Sequence, residues 1–599
     1  MQNAVNILKT LPMLAKLPKL LKPRPDSTKG CISLHVQLQA ERFPYHTAIS
    51  FEGDERTWDE FNREANRFAR ALQNAGVARG DAVSVLMENR IEYLSCLIAI
   101  NKLGACAALI NTNLSGGSLA HCLTVTNSTH CIIGEERCST IAELLDEDLP
   151  ALRKPLYVAD SGELSCPDWA NDLGVSAAAQ QDQNLAETDD VTISEDCLYI
   201  FTSGTTGMPK ASVMSNKRLL ATASLSAIAG LRCDEHDCIY LCLPLYHGTG
   251  LFLGVGAAFT TGASIYLRRK FSASAFVPEV RESGATCFMY IGEICRYLLA
   301  TPEHVDDHAT SLRTIMGNGL RPDIWHAFKD RFGIDLVSEF YGSSEGNISA
   351  INLFNKDCTI GTIALPHALV RYDVDNDEIV RDQQGYCIRA EKGEPGLVLG
   401  EITPKTQFEG YTNKEATEAK ILRDVFKPGD AWFNTGDLLK QIEVGFALGL
   451  PHYQFVDRVG DTFRWKGENV STNEVGEIIN THDQVHFSNI YGVEVPGTDG
   501  RAGMAALILE EGCDALDVES FSKLVTAQLP AYARPLFLRV LPQMDTTGTF
   551  KMLKGDLRKE GFDPALVDGP LYALKPGSAH YEPLEQAFFA DIQSGRSGY

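Results

Sequence analysis

The chain has 599 residues, with 54 basic and 78 acidic side chains and a formal charge of −24. Hydrophobic residues make up 44% and charged residues 22%, which excludes a disordered, collagen-like or disulfide-stapled chain and points to a packed protein of several domains. So acidic a balance also excludes a nucleic-acid binder, because phosphate neutralisation requires a basic face.

The first residues run against that balance. Lys9, Lys16, Lys19, Lys22 and Arg24 all precede the first acid, Asp26. Val5, Leu8, Leu11, Leu14, Leu17 and Leu21 alternate with the lysines, a pattern that suits an amphipathic anchor on anionic lipid, although Pro12 and Pro18 interrupt a continuous helix. The alternative is a terminal segment packed on its own acidic protein. The same prolines and lysines exclude a secretory signal.

From about residue 50 to 340 helical and strand periods alternate. Thr57-Trp58-Asp59-Glu60 is a capping box, and the helix after it places Phe61, Ala65, Phe68 and Leu72 on one face. Residues 81–87 read as a buried strand, 91–103 as a helix and 105–110 as another strand. The cycle repeats through strands at 129–133, 238–243, 263–267, 285–290 and 335–340, which implies parallel sheets covered by helices. The charge-free run 239–267 is long enough to span a bilayer. Pro244, His247 and five glycines make it a strand, a loop and a packed helix instead. After about 360 the chain becomes rich in turns and strands. A smaller unit begins near 460, with helices around 474–481 and 520–529 and strands at 485–495 and 502–509. Sixteen cysteines without a CxxC pair read as small buried hydrophobes of a reducing compartment. CDEHDC (233–238) and HVDDH (304–308) read as charged turns rather than metal sites.

One segment carries chemistry. In YIFTSGTTGMPKAS (199–212) a strand at 198–201 runs into Thr202, Ser203, Gly204, Thr205, Thr206 and Gly207, with Lys210 behind a proline. Glycines let backbone amides converge, hydroxyls add donors and the lysine adds charge, which together suit phosphate oxygens. It is not the Walker loop, whose GK[ST] is missing. The segment resembles the phosphate-binding loop of the adenylate-forming superfamily: acyl-CoA synthetases, luciferases and nonribosomal peptide adenylation domains.

Other motifs follow in that family's order, and the resemblance assigns their roles. LPLYHGTG (243–250) places His247 at the wall between acyl and nucleotide pockets. GNGLRPDIW (317–325) resembles the loop that contacts adenine, through Asn318 and Gly319, and lines the acyl pocket with Gly317, Tyr290 and Gly292. YGSSEGN (341–347) is similar to the motif in which Tyr341 stacks on adenine beside Gly342 and Ser343, while Glu345, with Ser344, holds Mg2+. WFNTGDL (432–438) supplies Asp437 for the ribose hydroxyls. DRVGDTFRWKGENVS (457–471) resembles the interdomain hinge, with Arg458 on ribose or phosphates, Gly460 at the pivot, and Arg464, Lys466 and Gly467 toward CoA. TTGTFKMLK (546–554) places Lys551 as the mobile catalytic lysine.

YIGEICRYLL (290–299), residues 461–475 and the tail at 562–589 resemble one branch, the fatty acid transport proteins or very-long-chain acyl-CoA synthetases. Ala211 stands where many relatives have glycine and Ser343 where this branch often has alanine, neither removing a charge or a ligand. Gly460 stands where many relatives carry Asp or Lys, its backbone freedom still suiting a pivot. The resemblance implies an α/β fold: a large N-terminal domain of helix-covered parallel sheets with a β-rich subdomain, and a small mobile α+β domain. The expected division is a basic segment 1–28, an AMP-binding domain 29–459 and a mobile domain 460–599. The implied reaction is ATP-dependent activation of a long- or very-long-chain fatty acid through acyl-AMP to acyl-CoA, with Mg2+ as cofactor and CoA as substrate. Membrane contact through the N-terminal segment, a homodimer, and a cytoplasmic place on the inner face of the membrane complete the expectation. Other readings stand beside it: a ligase for a bile acid, a carnitine-like acid or a carrier protein, a luciferase-like oxygenase, and a transporter without ligase activity. GSSEG (342–346) also fits the GxSxG of an esterase, but that elbow needs a helix directly after it, and 347–354 reads as strand or loop.

Overall fold

The capping box closes as the sequence requires. Thr57 Oγ1 accepts from the Glu60 amide at 3.3 Å, the Glu60 carboxylate accepts from the Thr57 amide at 2.9 Å, and helix Trp58–Asn74 starts there. Phe61, Ala65, Phe68 and Leu72 on its inner face are buried. A computed structural model of the chain describes residues 10, 13–16, 22, 24–202, 208–373, 378–459, 462–465, 468–498, 500–542 and 555–599. The basic N-terminal segment lies mostly outside them. The chain divides into two compact units. The first holds the chain up to Leu365 with Ile402–Ile421 and Val444–Leu450; the second holds Pro366–Glu401, Leu422–Glu443 and Pro451–Tyr599.

Two sheets frame the first unit. One has seven strands, in the order Asn171–Asp172, Leu156–Val158, His130–Gly134, Ala82–Leu86, Cys106–Leu109, Asp196–Thr202 and Lys210–Ser215. All its pairs are parallel except the last. The other has nine strands, and its centre runs parallel through Leu336–Gly342, Thr314–Asn318, Cys287–Ile291, Cys238–Leu241, Ser264–Leu267 and Thr47–Phe51. Ala82–Leu86 is buried at every position, as a strand covered on both faces must be.

The run 239–267 divides as its proline and glycines demand, into strand Cys238–Leu241, helical turns and strand Ser264–Leu267. Its helix is not uniformly α. Thr249–Val255 is wound as a wide π-helix before Gly256–Thr261 continues as α, and a second π segment, Ser226–Gly230, packs against it. Ser226 Oγ donates to Leu253 O at 2.7 Å, and Gly256 lies so close that a Cβ there would stand 2.7 Å from Ala223 Cβ. Among the described residues no helix is long and apolar enough to cross a membrane.

In the second unit the long strand Ala431–Ile442 pairs antiparallel with both Gly396–Glu401 and His452–Arg458. Its C-terminal part is a sheet ordered Val485–Glu494, Arg501–Leu509, Phe537–Val540, Leu571–Leu574 and Tyr581–Pro583, with helices Thr472–Ile479, Val518–Gln528 and Gln586–Gln593. The tail closes this core: Phe562 stacks on Phe537 at 4.0 Å, and the Tyr581 hydroxyl donates to Pro535 O at 2.6 Å. The architecture is the α/β class that the alternation of periods implied.

Candidate functional site

The expected phosphate loop joins two strands whose register the structure fixes. Thr202 lies opposite Lys210 at the open end of the antiparallel pair Asp196–Thr202 and Lys210–Ser215. Ser203, Gly204, Thr205, Thr206 and Gly207 lie outside the described residues. A third segment adds to the edge of this pair: the Val213 amide donates to Gly410 O at 3.0 Å, and the Thr412 amide donates to Ala211 O at 2.9 Å. That pairing delivers Tyr411. Lys210 Nζ stands 5.8 Å over the centre of its ring, within cation–π range. The Tyr411 hydroxyl donates to Glu345 Oε1 at 2.9 Å. Burial, followed by the charge on Glu345, holds that hydroxyl well above the usual tyrosine pKa.

Glu345 sits in the turn between strand Leu336–Gly342 and the antiparallel strand Ser349–Ile351. Tyr341 and Gly342 end the first strand, and Ser343, Ser344 and Glu345 form the turn. A strand, not a helix, follows the GxSxG pattern, so no esterase elbow forms here. Arg218 holds this turn from beneath, donating to Ser343 O at 3.1 Å and to Gly346 O. Arg218 is itself placed by its helix, Asn216–Leu225, whose N-cap Ser215 accepts from the Arg218 amide at 3.3 Å. The Ser215 amide and hydroxyl both donate to Glu409, at 3.0 and 2.5 Å. Ser343 Oγ is buried and has no hydrogen-bond partner among the described residues.

The expected adenine and acyl loop rests on a buried acid. The Glu339 carboxylate accepts from the Tyr290 hydroxyl, the Gly319 amide and, at 3.1 Å, the Leu320 amide. Burial pushes its pKa up to about 8, against the three donated hydrogen bonds. Tyr290 is therefore fully buried, with its hydroxyl directed to Glu339. Gly292 and Gly317 have a local reason to be glycine. A Cβ on Gly292 would lie 1.6 Å from Gly319 O, and one on Gly317 would lie 2.0 Å from Tyr290 O. Asn318 is exposed, and Thr249 Oγ1 approaches its Oδ1 at 3.5 Å. The turn before His247 is clamped by buried Asn89, which accepts from the Leu245 amide at 2.9 Å and donates to Leu243 O at 2.9 Å and Arg268 O at 3.0 Å. The His247 ring leans on Tyr246, with ring centres 4.8 Å apart.

In the second unit Asp437 and Arg458 face each other across neighbouring strands, with Nε 3.5 Å from Oδ1. Asp437 is buried and Arg458 half-exposed. Arg464 lies in the short strand Phe463–Trp465. Gly460, Lys466, Gly467 and Lys551 lie outside the described residues. The structure thus brings Lys210 and Glu345 together on Tyr411 in one unit, and pairs Asp437 with Arg458 in the other. Tyr411, Arg218, Glu409, Asn89 and Glu339 are all missed by the sequence reading. Only Glu339, the one acid inside the strand Leu336–Gly342, carries a visible signal of its own.

The fold is that of the CoA ligases. A solved anthranilate CoA ligase bound to anthranoyl-AMP superposes with a TM-score of 0.75 over 90% of this chain and 98% of its own, at 22% identity. Long-chain fatty acid transport protein 6 of Mus musculus is 40% identical over 92% of this chain and 88% of its own length. A medium/long-chain-fatty-acid–CoA ligase of Mycobacterium tuberculosis is 39% identical over 96% and 93%. Residues 36–402 match the AMP-binding enzymes, and the chain belongs to that family.

Proposed function

We propose that the chain activates a long- or very-long-chain fatty acid with ATP and transfers it to CoA, releasing AMP and pyrophosphate. The observation that carries this reading is the pairing of Lys210 and Glu345 on one aromatic residue, beside the strand ends that bear the Ser/Thr/Gly loop. The names of the relatives, long-chain fatty acid transport protein and medium/long-chain-fatty-acid–CoA ligase, support a long-chain substrate; the very-long-chain part rests on the resemblance in sequence.

A carboxylate is a poor acyl donor, because its leaving group would be oxide. Attack of the fatty acid carboxylate on the ATP α-phosphate gives a mixed anhydride, acyl-AMP, and expels pyrophosphate. Negative charge shifts among the phosphate oxygens as this occurs, so preorganised donors and cations carry the catalysis. Lys210 and the 202–207 hydroxyls and amides would bind the departing phosphates, Tyr341 would stack on adenine beside Asn318 and Gly319, and Asp437 would accept the ribose hydroxyls with Arg458 alongside. The donor set suits magnesium, a hard cation that takes oxygen ligands: the Glu345 carboxylate, with the Ser344 and Thr202 hydroxyls near the same turn and loop. Magnesium bound there supplies positive charge to the phosphates. Lys551 would bridge the fatty acid carboxylate and the α-phosphate, orienting two anions that otherwise repel. Lys551→Ala then abolishes acyl-AMP formation and leaves ATP binding largely intact.

The CoA thiol next attacks the acyl carbonyl and expels AMP. In this reading residues 460–599 swivel about Gly460, which withdraws Lys551 and turns Arg464, Lys466 and Gly467 toward the pantetheine arm. Trapping fatty acid as its thioester would make uptake one-way, with the basic N-terminal segment on the inner face of the membrane and the remainder, alone or as a homodimer, in the cytoplasm. The test is AMP release over a panel of fatty acids of graded chain length, with and without CoA. Turnover that requires CoA and peaks at long chains is expected. Turnover without CoA would point to another acceptor, and no turnover on any acid would overturn the reading.

A further inference from the structure

We infer that Tyr411 is a positioning residue that sets the magnesium carboxylate and the phosphate lysine in register with each other. The inference rests on reading Glu345 and Lys210 as the magnesium and phosphate residues, and it adds a residue that belongs to neither motif. Three observations converge on it. The hydroxyl donates to Glu345 Oε1 at 2.9 Å, which fixes the carboxylate in one orientation. The ring face lies under Lys210 Nζ at 5.8 Å, so the ammonium is attracted to the same side chain. The backbone on either side is pinned to the strand that begins at Lys210, through Val213 to Gly410 and Thr412 to Ala211. The backbone that carries the aromatic is therefore held at a sheet edge beside the strand of Lys210. Two long, flexible charged side chains on separate elements would otherwise each have to be ordered by ATP and the cation, at an entropic cost.

Two substitutions separate the contributions of the hydroxyl and the ring. Tyr411→Phe deletes the hydroxyl and keeps the ring under Lys210; Tyr411→Leu deletes both. ATP binding is titrated calorimetrically over a series of Mg2+ concentrations, with single-turnover acyl-AMP formation and melting temperature measured alongside. Tyr411→Phe should raise the half-saturating Mg2+ concentration about ten-fold, as loss of one hydrogen bond to a charged group implies. Its ATP affinity at saturating Mg2+ should match that of the wild type, with a melting temperature lower by only a few degrees. Tyr411→Leu should lose ATP affinity even at saturating Mg2+. Wild-type Mg2+ dependence in Tyr411→Phe would overturn the inference while leaving the ligase reading in place. ATP binding by the wild type that ignores Mg2+ would overturn both.

Discussion

Asp457 accepts two hydrogen bonds from Thr472 on one carboxylate oxygen, from the amide and from the hydroxyl, each at 2.9 Å. The pair joins the end of strand His452–Arg458 to the start of helix Thr472–Ile479, and Ser471 Oγ and Asn473 Nδ2 add bonds to Val456 O at 3.2 and 2.9 Å. These contacts connect the two sides of residue 460, the proposed pivot. In the proposed swivel about that residue they break, so they would favour the orientation in which they form. Thr472→Val removes the hydroxyl bond and keeps the shape, at a cost of about 1 kcal/mol to that orientation. The expected result is that acyl-AMP formation and transfer of the acyl group to CoA change in opposite directions. Pyrophosphate exchange and single-turnover thioester formation measure the two steps separately. Parallel loss of both, or no change in either, would count against a swivel at this point.

Glu339 makes a statement about pH. Its carboxyl titrates at about 8 in the fold, against 4.5 for an ordinary glutamate, so between those values the folded protein holds a proton that the unfolded chain has released. Stability drawn from this group is complete below about pH 4.5 and is lost as pH rises through about 8. Glu339→Gln has the same size and does not ionise. Its melting temperature should lie below the wild type at pH 5, and the gap should narrow toward pH 8 by the equivalent of a few kcal/mol. A gap that stays constant or widens over that range, followed by scanning fluorimetry, would refute the assignment.

The parts of this molecule that local patterns govern were legible in its sequence. A parallel strand covered on both faces reads as a nearly continuous apolar run, so Ala82–Leu86, with Ser84 its one polar residue, and Cys106–Leu109 stand out. A capping box reports on its own four residues, and Thr57 and Glu60 close as written. The site's supports were not legible, because each is a long-range pairing. Tyr411 meets Glu345 from 66 positions away, and Arg218 meets Ser343 from 125. Nothing near GYTN announces an aromatic shared by a lysine and a carboxylate. The π-helical winding at Thr249–Val255 escapes as well, beside close approaches that no local pattern announces: a Cβ on Gly254 would stand 3.0 Å from Met289 Cγ and one on Gly256 2.7 Å from Ala223 Cβ.

Gly292 separates two explanations of a small residue near an acyl pocket. If the glycine only opened space for a fatty tail, alanine would shorten the preferred chain and leave ATP untouched. The structure gives a different constraint: a Cβ at residue 292 would sit 1.6 Å from Gly319 O, a backbone atom that cannot rotate away. Gly319 is itself in the left-handed region at φ 85°, and its amide is held by Glu339, so the loop is fixed from two sides. Alanine at 292 must push the 317–320 loop, at a cost of about 1–3 kcal/mol for overpacking. Because Asn318 and Gly319 are the proposed adenine contacts, Gly292→Ala should raise the ATP KM several-fold with acids of every chain length, alongside a lower melting temperature. A variant whose ATP KM is unchanged and whose defect appears only with long acids would show that the glycine serves the tunnel and not the loop.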